Sequence, residues 1–378
     1  MSSLLSLHDL VGDLVIYRNL DPIDSRLPRF GEAWKAMGLA TGVRPRKQDP
    51  EFASALIWLL RRARQLDLPR GQISEVLLFG DTALSDGSAF RSVRARGGWR
   101  GWAFIGSEKG EEPTVTVSDG VYVSNRWSDL ADFLEWVIRE GARLDEQTAV
   151  LVDIDKTALA ARGRNDKAID SARLAAIEGT LREVSGVEFD QEEFRLAYAT
   201  LNVPAFHSFT ADNQDYLAYI CLMINAGFIG LEALQAEVRK GRLNSFFDLI
   251  EEIDANLDRL PSASVRALHA EVIRLVRAGD PTPFKAFRRR ELVETVARMG
   301  HLGDSVPMAE RLVNEICLTQ EVVDAVRWLR RRGCLLVAAS DKPDEATTPT
   351  AELASRGVLP LHLARTHLLG PSIATSLP

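Results

Sequence analysis

Ala149-Val150-Leu151-Val152-Asp153-Ile154-Asp155-Lys156-Thr157 passes from an unbroken apolar run straight into two carboxylates. A short aliphatic run with no polar alternation fits a strand buried on both faces, as in parallel sheets covered by helices. Two further runs share the design: Val76-Leu77-Leu78-Phe79-Gly80-Asp81 and Cys334-Leu335-Leu336-Val337-Ala338-Ala339-Ser340. Ligands of open α/β sheets bind just beyond the carboxyl ends of the strands, so Asp81, Asp153 and Ser340 are expected to converge there. A fourth run, Trp102-Ala103-Phe104-Ile105-Gly106, extends the predicted sheet.

Working outward, helical periodicity precedes these strands at 52–65, 130–139 and 322–331, the alternation of a doubly wound α/β domain. Between about 165 and 318 the texture changes. Amphipathic stretches follow one another at 171–184, 191–201, 213–226, 230–240, 245–257, 264–278 and 290–299. This pattern predicts an all-helical module inserted into the sheet domain, with Pro281, Pro283 and the 300–307 stretch as loops near its exit.

At 378 residues and 46% hydrophobic composition, the chain can bury a large core. A net charge of -7, with no basic stripe around Trp99 or Trp102, argues against nucleic acid and anionic lipid as partners. The three cysteines are far apart and have neither disulfide-framework nor zinc spacing, which fits a reduced cytoplasm. No apolar run reaches the length of a membrane span, and the N-terminus lacks the pattern of a signal peptide. The expectation is a cytoplasmic protein with no membrane partner. Composition says nothing of its oligomeric state.

Two carboxylates two residues apart, just after a buried strand, suit phosphoryl transfer. Asp153 can attack phosphorus to form an aspartyl-phosphate, while Asp155 protonates the leaving oxygen and later activates water. Thr157 can add a hydroxyl or backbone donor to the phosphate. Anionic carboxylates approaching a phosphoryl group need a cation, and Mg²⁺ with oxygen ligands suits the role, Asp81 being the third ligand after Asp153 and Asp155. Taken alone, an Asp-x-Asp is a turn or a helix cap, and Ser340 is a cap for a helix beginning near Asp344.

Together these residues resemble the haloacid dehalogenase-like superfamily of phosphohydrolases, whose first motif is Asp-x-Asp-x-Thr after an apolar strand. Ser340 in Ala338-Ala339-Ser340-Asp341-Lys342-Pro343 is similar to its second motif, and Gly80-Asp81-Thr82-Ala83-Leu84-Ser85-Asp86 to its fourth. Arg44-Pro45-Arg46-Lys47-Gln48-Asp49-Pro50 resembles the third, with Lys47 the phosphate-binding cation and Arg44, Arg46 and Lys342 as alternatives. The resemblance implies that Ser340 also holds phosphate and that Asp86 joins Asp81 at the metal; Asp86 is otherwise a turn cap beside Gly87. The motifs run third, fourth, first, second, the order a circular permutation produces, with the joint in 130–148. Lys156 stands where the family has a small residue.

The resemblance implies a doubly wound, Rossmann-like core with an inserted helical cap. Residues 1–164 form the first part of the core, 165–318 the cap and 319–378 the second part. The activity implied is a Mg²⁺-dependent phosphatase acting on a small phosphorylated metabolite. The alternatives are a phosphomutase and a non-catalytic binding or regulatory protein that keeps the pocket. Within the helical module, His207 and the polar and aromatic residues of 213–225 either face the substrate or make buried polar contacts.

Overall fold

The computed structural model describes residues 4–47, 49–185 and 189–378. The chain divides into two compact units, one of residues 1–171 with 295–378 and one of residues 172–294. The first is built on a sheet whose strands are β1 (Val15–Ile16), β2 (Glu75–Gly80), β3 (Arg100–Gly106), β4 (Val115–Ser118), β5 (Val121–Ser124), β6 (Thr148–Val152) and β8 (Leu335–Ala339). Their order is β1-β8-β6-β2-β3-β5-β4, and a separate two-stranded ribbon pairs β7 (Leu318–Thr319) with β9 (Leu368–Leu369). The protein is thus α/β with a mostly parallel, Rossmann-like sheet.

The three apolar runs form the centre of this sheet. β6 lies between β8 and β2, with Val150 level with Leu336 and Leu77. Every residue of β2 and β6 is buried, as strands covered on both faces require. Alternation sends Leu78, Leu151 and Val337 to one face, where they pack with Phe52, Leu56 and Leu60 of the helix Pro50–Asp67. Phe79 and Phe104 point the other way. Their rings lie 6.2 and 5.7 Å from that of Phe133, on the helix Leu130–Arg139.

The expected wholly parallel sheet needs a correction at its edge, because β4 pairs with β5 antiparallel. Asp119 and Gly120 join these strands with φ of +50° and +77°, the backbone of a type I′ hairpin turn. The Asp-Gly pair between Val-Thr-Val-Ser and Val-Tyr-Val-Ser was the available sequence signal. β1 also escaped the sequence reading, since two residues show no period.

In the second unit, the described residues outside loops are helical. Its core gathers Ile177, Phe194, Leu217, Leu249, Val272 and Phe284. The helix Gln214–Asn225 keeps its polar groups within this unit. Asp215, fully buried, accepts from Arg288 and from Phe284 N, and the Tyr219 hydroxyl lies 2.5 Å from His269 Nδ1. These are the buried polar contacts of the two sequence readings. His207 is part-exposed, 3.5 Å from Asp212.

Candidate functional site

β2, β6 and β8 are neighbours running in one direction, so the residues that follow them emerge side by side. Asp153 N donates to Phe79 O at 2.9 Å and Ser340 N to Ile16 O at 3.0 Å, which carries the ladder one residue past each strand. Beyond Asp153 the chain turns back, with Ala158 N donating to Asp153 O and Leu159 N to Ile154 O. Lys156 takes φ +63° in this turn, the left-handed region that favours glycine. This explains the small residue at the corresponding place in the motif it resembles. Lys156 reaches Asp170 at 2.8 Å.

Asp81, Asp86 and Asp153 each present a carboxylate oxygen within 4.8 Å of the others. Asp86 opens the helix Asp86–Gly97, and its Oδ2 accepts from Asp81 N, Thr82 N and the Thr82 hydroxyl. It therefore ties down the loop that carries Asp81. Gly80 is what lets it approach, since an added Cβ would lie 2.6 Å from Asp86 Cβ.

Lys47, in the stretch that resembles the third motif, points into this group. Its Nζ donates to Asp86 Oδ1 at 2.6 Å and to Asp153 Oδ1 at 3.1 Å. Two of the three alternatives are employed elsewhere. Arg44 binds Asn19 O and Asp21, and Lys342 donates to Asp155 Oδ2 at 3.0 Å. Sequence reasoning did not find Arg162, whose guanidinium pairs with Asp81 Oδ2. It stands in a loop without a motif, 81 residues away in the chain, and carries no local signal.

Two cations against three buried carboxylates leave the acids short of positive charge. Burial, and then the charge of Asp86, raise the Asp81 carboxyl to about 6 against the pull of Arg162. Burial raises Asp153 well above the usual carboxylate range despite Lys47, with Asp86 and Asp81 adding to the rise. In Asp86 burial is outweighed by the charge and hydrogen bond of Lys47 and by backbone donors, so its carboxyl stays below its ordinary value. The same two acids outweigh burial for Lys47 and hold it protonated. A further cation among these oxygens would relieve the imbalance.

Ser340 is buried beside the group, and its Oγ accepts from Lys342 N at 3.2 Å. It caps no helix, because the turn at Asp344–Ala346 has Pro343 at its cap. Thr157 is fully buried, and its hydroxyl has no hydrogen-bond partner among the described residues. Such an atom is costly unless something else satisfies it.

Asp81, Asp86, Asp153 and Lys47 thus meet directly. Asp155 and Ser340 stand at the same end of the sheet, linked through Lys342. A surface cleft of about 680 Å³, lined by Leu68, Gly71 and Glu146 among others, opens at the opposite, amino-terminal edge of β2 and β6. It holds none of these groups. No family model, curated protein or solved structure matches the chain.

Proposed function

We propose that the chain is a phosphohydrolase of the haloacid dehalogenase-like type, with its motifs in permuted order, acting on a small phosphorylated metabolite. The observation that carries this reading is the meeting of Lys47, Asp81 and Asp153, from three separate parts of the chain, at the carboxyl ends of neighbouring parallel strands. The all-helical unit occupies the chain position of the family's cap, between Asp155 and Ser340.

The donor set is all oxygen and anionic, which fits Mg²⁺. Asp153 and Asp81 would hold it, aided by the Asp155 carbonyl, with Asp86 behind them because both its oxygens are already engaged. When bound, the ion supplies the positive charge that lets a carboxylate and a phosphate approach each other.

In the reaction, the Asp153 carboxylate attacks phosphorus as the bond to the leaving oxygen breaks, and Asp155 gives that oxygen its proton. Asp155 then takes a proton from water as the water attacks the aspartyl-phosphate. The phosphorus–Asp153 bond breaks, inorganic phosphate leaves, and the carboxylate is restored. Lys47 orients Asp153 and, with Ser340 and Thr157, contacts the phosphoryl oxygens. Asp155 must release Lys342 to reach the leaving group.

The test is phosphate release from p-nitrophenyl phosphate with and without Mg²⁺. Wild-type protein should show Mg²⁺-dependent turnover, and Asp153→Asn should lower it by about a thousandfold or more. Absence of Mg²⁺-dependent release from the wild type would sink the reading in favour of a binding protein.

A further inference from the structure

Tyr17 directly follows β1, the strand next to β8, and so stands at the same carboxyl end as Ser340 and Asp153. The segment it begins is laced to the one after Ser340. Arg18 N donates to Lys342 O at 3.3 Å, and Asn19 N to Asp344 Oδ2 at 2.9 Å. Tyr17 is 1% exposed, and its hydroxyl has no hydrogen-bond partner among the described residues. Burial, and then the charges of Asp155 and Asp344, keep the phenol protonated and therefore a donor. A buried phenol of this kind normally finds a partner.

We propose that Tyr17 is a substrate-binding residue whose phenol donates a hydrogen bond to a hydroxyl on the leaving alcohol, selecting phosphomonoesters that carry a hydroxyl near the ester carbon. This rests on the phosphohydrolase reading, in which Asp155 protonates the leaving oxygen. The phenol lies on the Asp155 side of the site, where the alcohol departs. A hydroxyl suits the position because it accepts from the phenol and donates in turn to a carboxylate, and Asp155 and Asp344 are the carboxylates whose charges reach Tyr17. The Asp155 side chain is 22% exposed while held by Lys342. The assignment requires that movement of Asp155 toward the leaving group admit the substrate hydroxyl to the phenol.

The experiment compares 2-hydroxyethyl phosphate with ethyl phosphate, which differ by one hydroxyl, in wild type and Tyr17→Phe with Mg²⁺. The expected wild-type preference in kcat/KM for the hydroxylated ester is about tenfold or more. Tyr17→Phe abolishes it by lowering turnover of that ester alone, with turnover of ethyl and p-nitrophenyl phosphate and the melting temperature maintained or raised. A wild type without the preference, a variant that keeps it, or a variant that loses all three substrates equally overturns the assignment of Tyr17 and leaves the phosphohydrolase reading standing. A wild type that releases phosphate from none of them overturns both.

Discussion

Lys47 is the residue on which the charge balance of the site rests, because it is shared between Asp86 and Asp153. Lys47→Met would leave two buried carboxylates without that ammonium and should cost about 3 kcal/mol in urea unfolding, in addition to activity. Asp81 gives the site its pH signature. Its carboxyl is raised from 3.8 to about 6 in the folded chain. Between those values the native protein keeps a proton that the unfolded chain has lost, so stability falls as pH rises through this window. The Asp81 share is about 3 kcal/mol, and Asp153 acts with the same sign. Chemical denaturation between pH 4 and 7 without Mg²⁺ should show this slope, and Asp81→Asn should flatten it. At pH 7.5, Mg²⁺ at a hundred times its dissociation constant should restore about 2.7 kcal/mol, an effect that fades toward pH 5 as the acids protonate.

At the scale of elements, the loop from β2 into the helix Asp86–Gly97 is set by one close contact and one cap. Gly80→Ala would drive a methyl group into Asp86, displacing the side chain that anchors Asp81 and Thr82. The expected result is a loss of about 2 kcal/mol together with loss of the Mg²⁺-dependent stabilisation. The other end of the helix is a control. Gly98 closes it with φ +65° and open space around its missing Cβ. Gly98→Ala should therefore cost about 1 kcal/mol of stability through backbone strain while leaving phosphate release unchanged.

For the molecule as a whole, the proposed permutation of the motifs is itself testable. Leu5 pairs with Thr366 in an isolated antiparallel bridge, and the Trp328 indole donates to Pro378 O. Both ends therefore belong to the sheet unit, with Leu5 beside Thr366, twelve residues before Pro378. A chain joined from Pro378 to Leu4 by a short flexible linker and reopened at the exposed Gly141 would carry the motifs in the order first, second, third, fourth. It should keep the far-ultraviolet dichroism of the parent and the Mg²⁺-dependent phosphate release proposed for it. Loss of folding on re-joining would mean that the present termini contribute structure that no linker replaces.

The central strands and the acids and serine that end them were readable because burial on both faces leaves a local mark: an apolar run and the point where it stops. Asp81 and Asp153 meet at the strand ends, Ser340 stands at the same end of the sheet, and the helix 130–139 falls where its period places it. The edge hairpin was written in Asp119-Gly120 and went unread. The pairing of charges was decided by the tertiary structure alone. Lys47 meets Asp153 across 106 residues, Arg162 meets Asp81 across 81, and Lys342 meets Asp155 across 187. The sequence put Lys47 first among four cations near the motifs but could not pair them, since a positive charge has no direction until the chain is folded. The unpartnered phenol of Tyr17 belongs to the same class, because a missing partner is a property of the space around an atom, which packing fixes and local sequence does not.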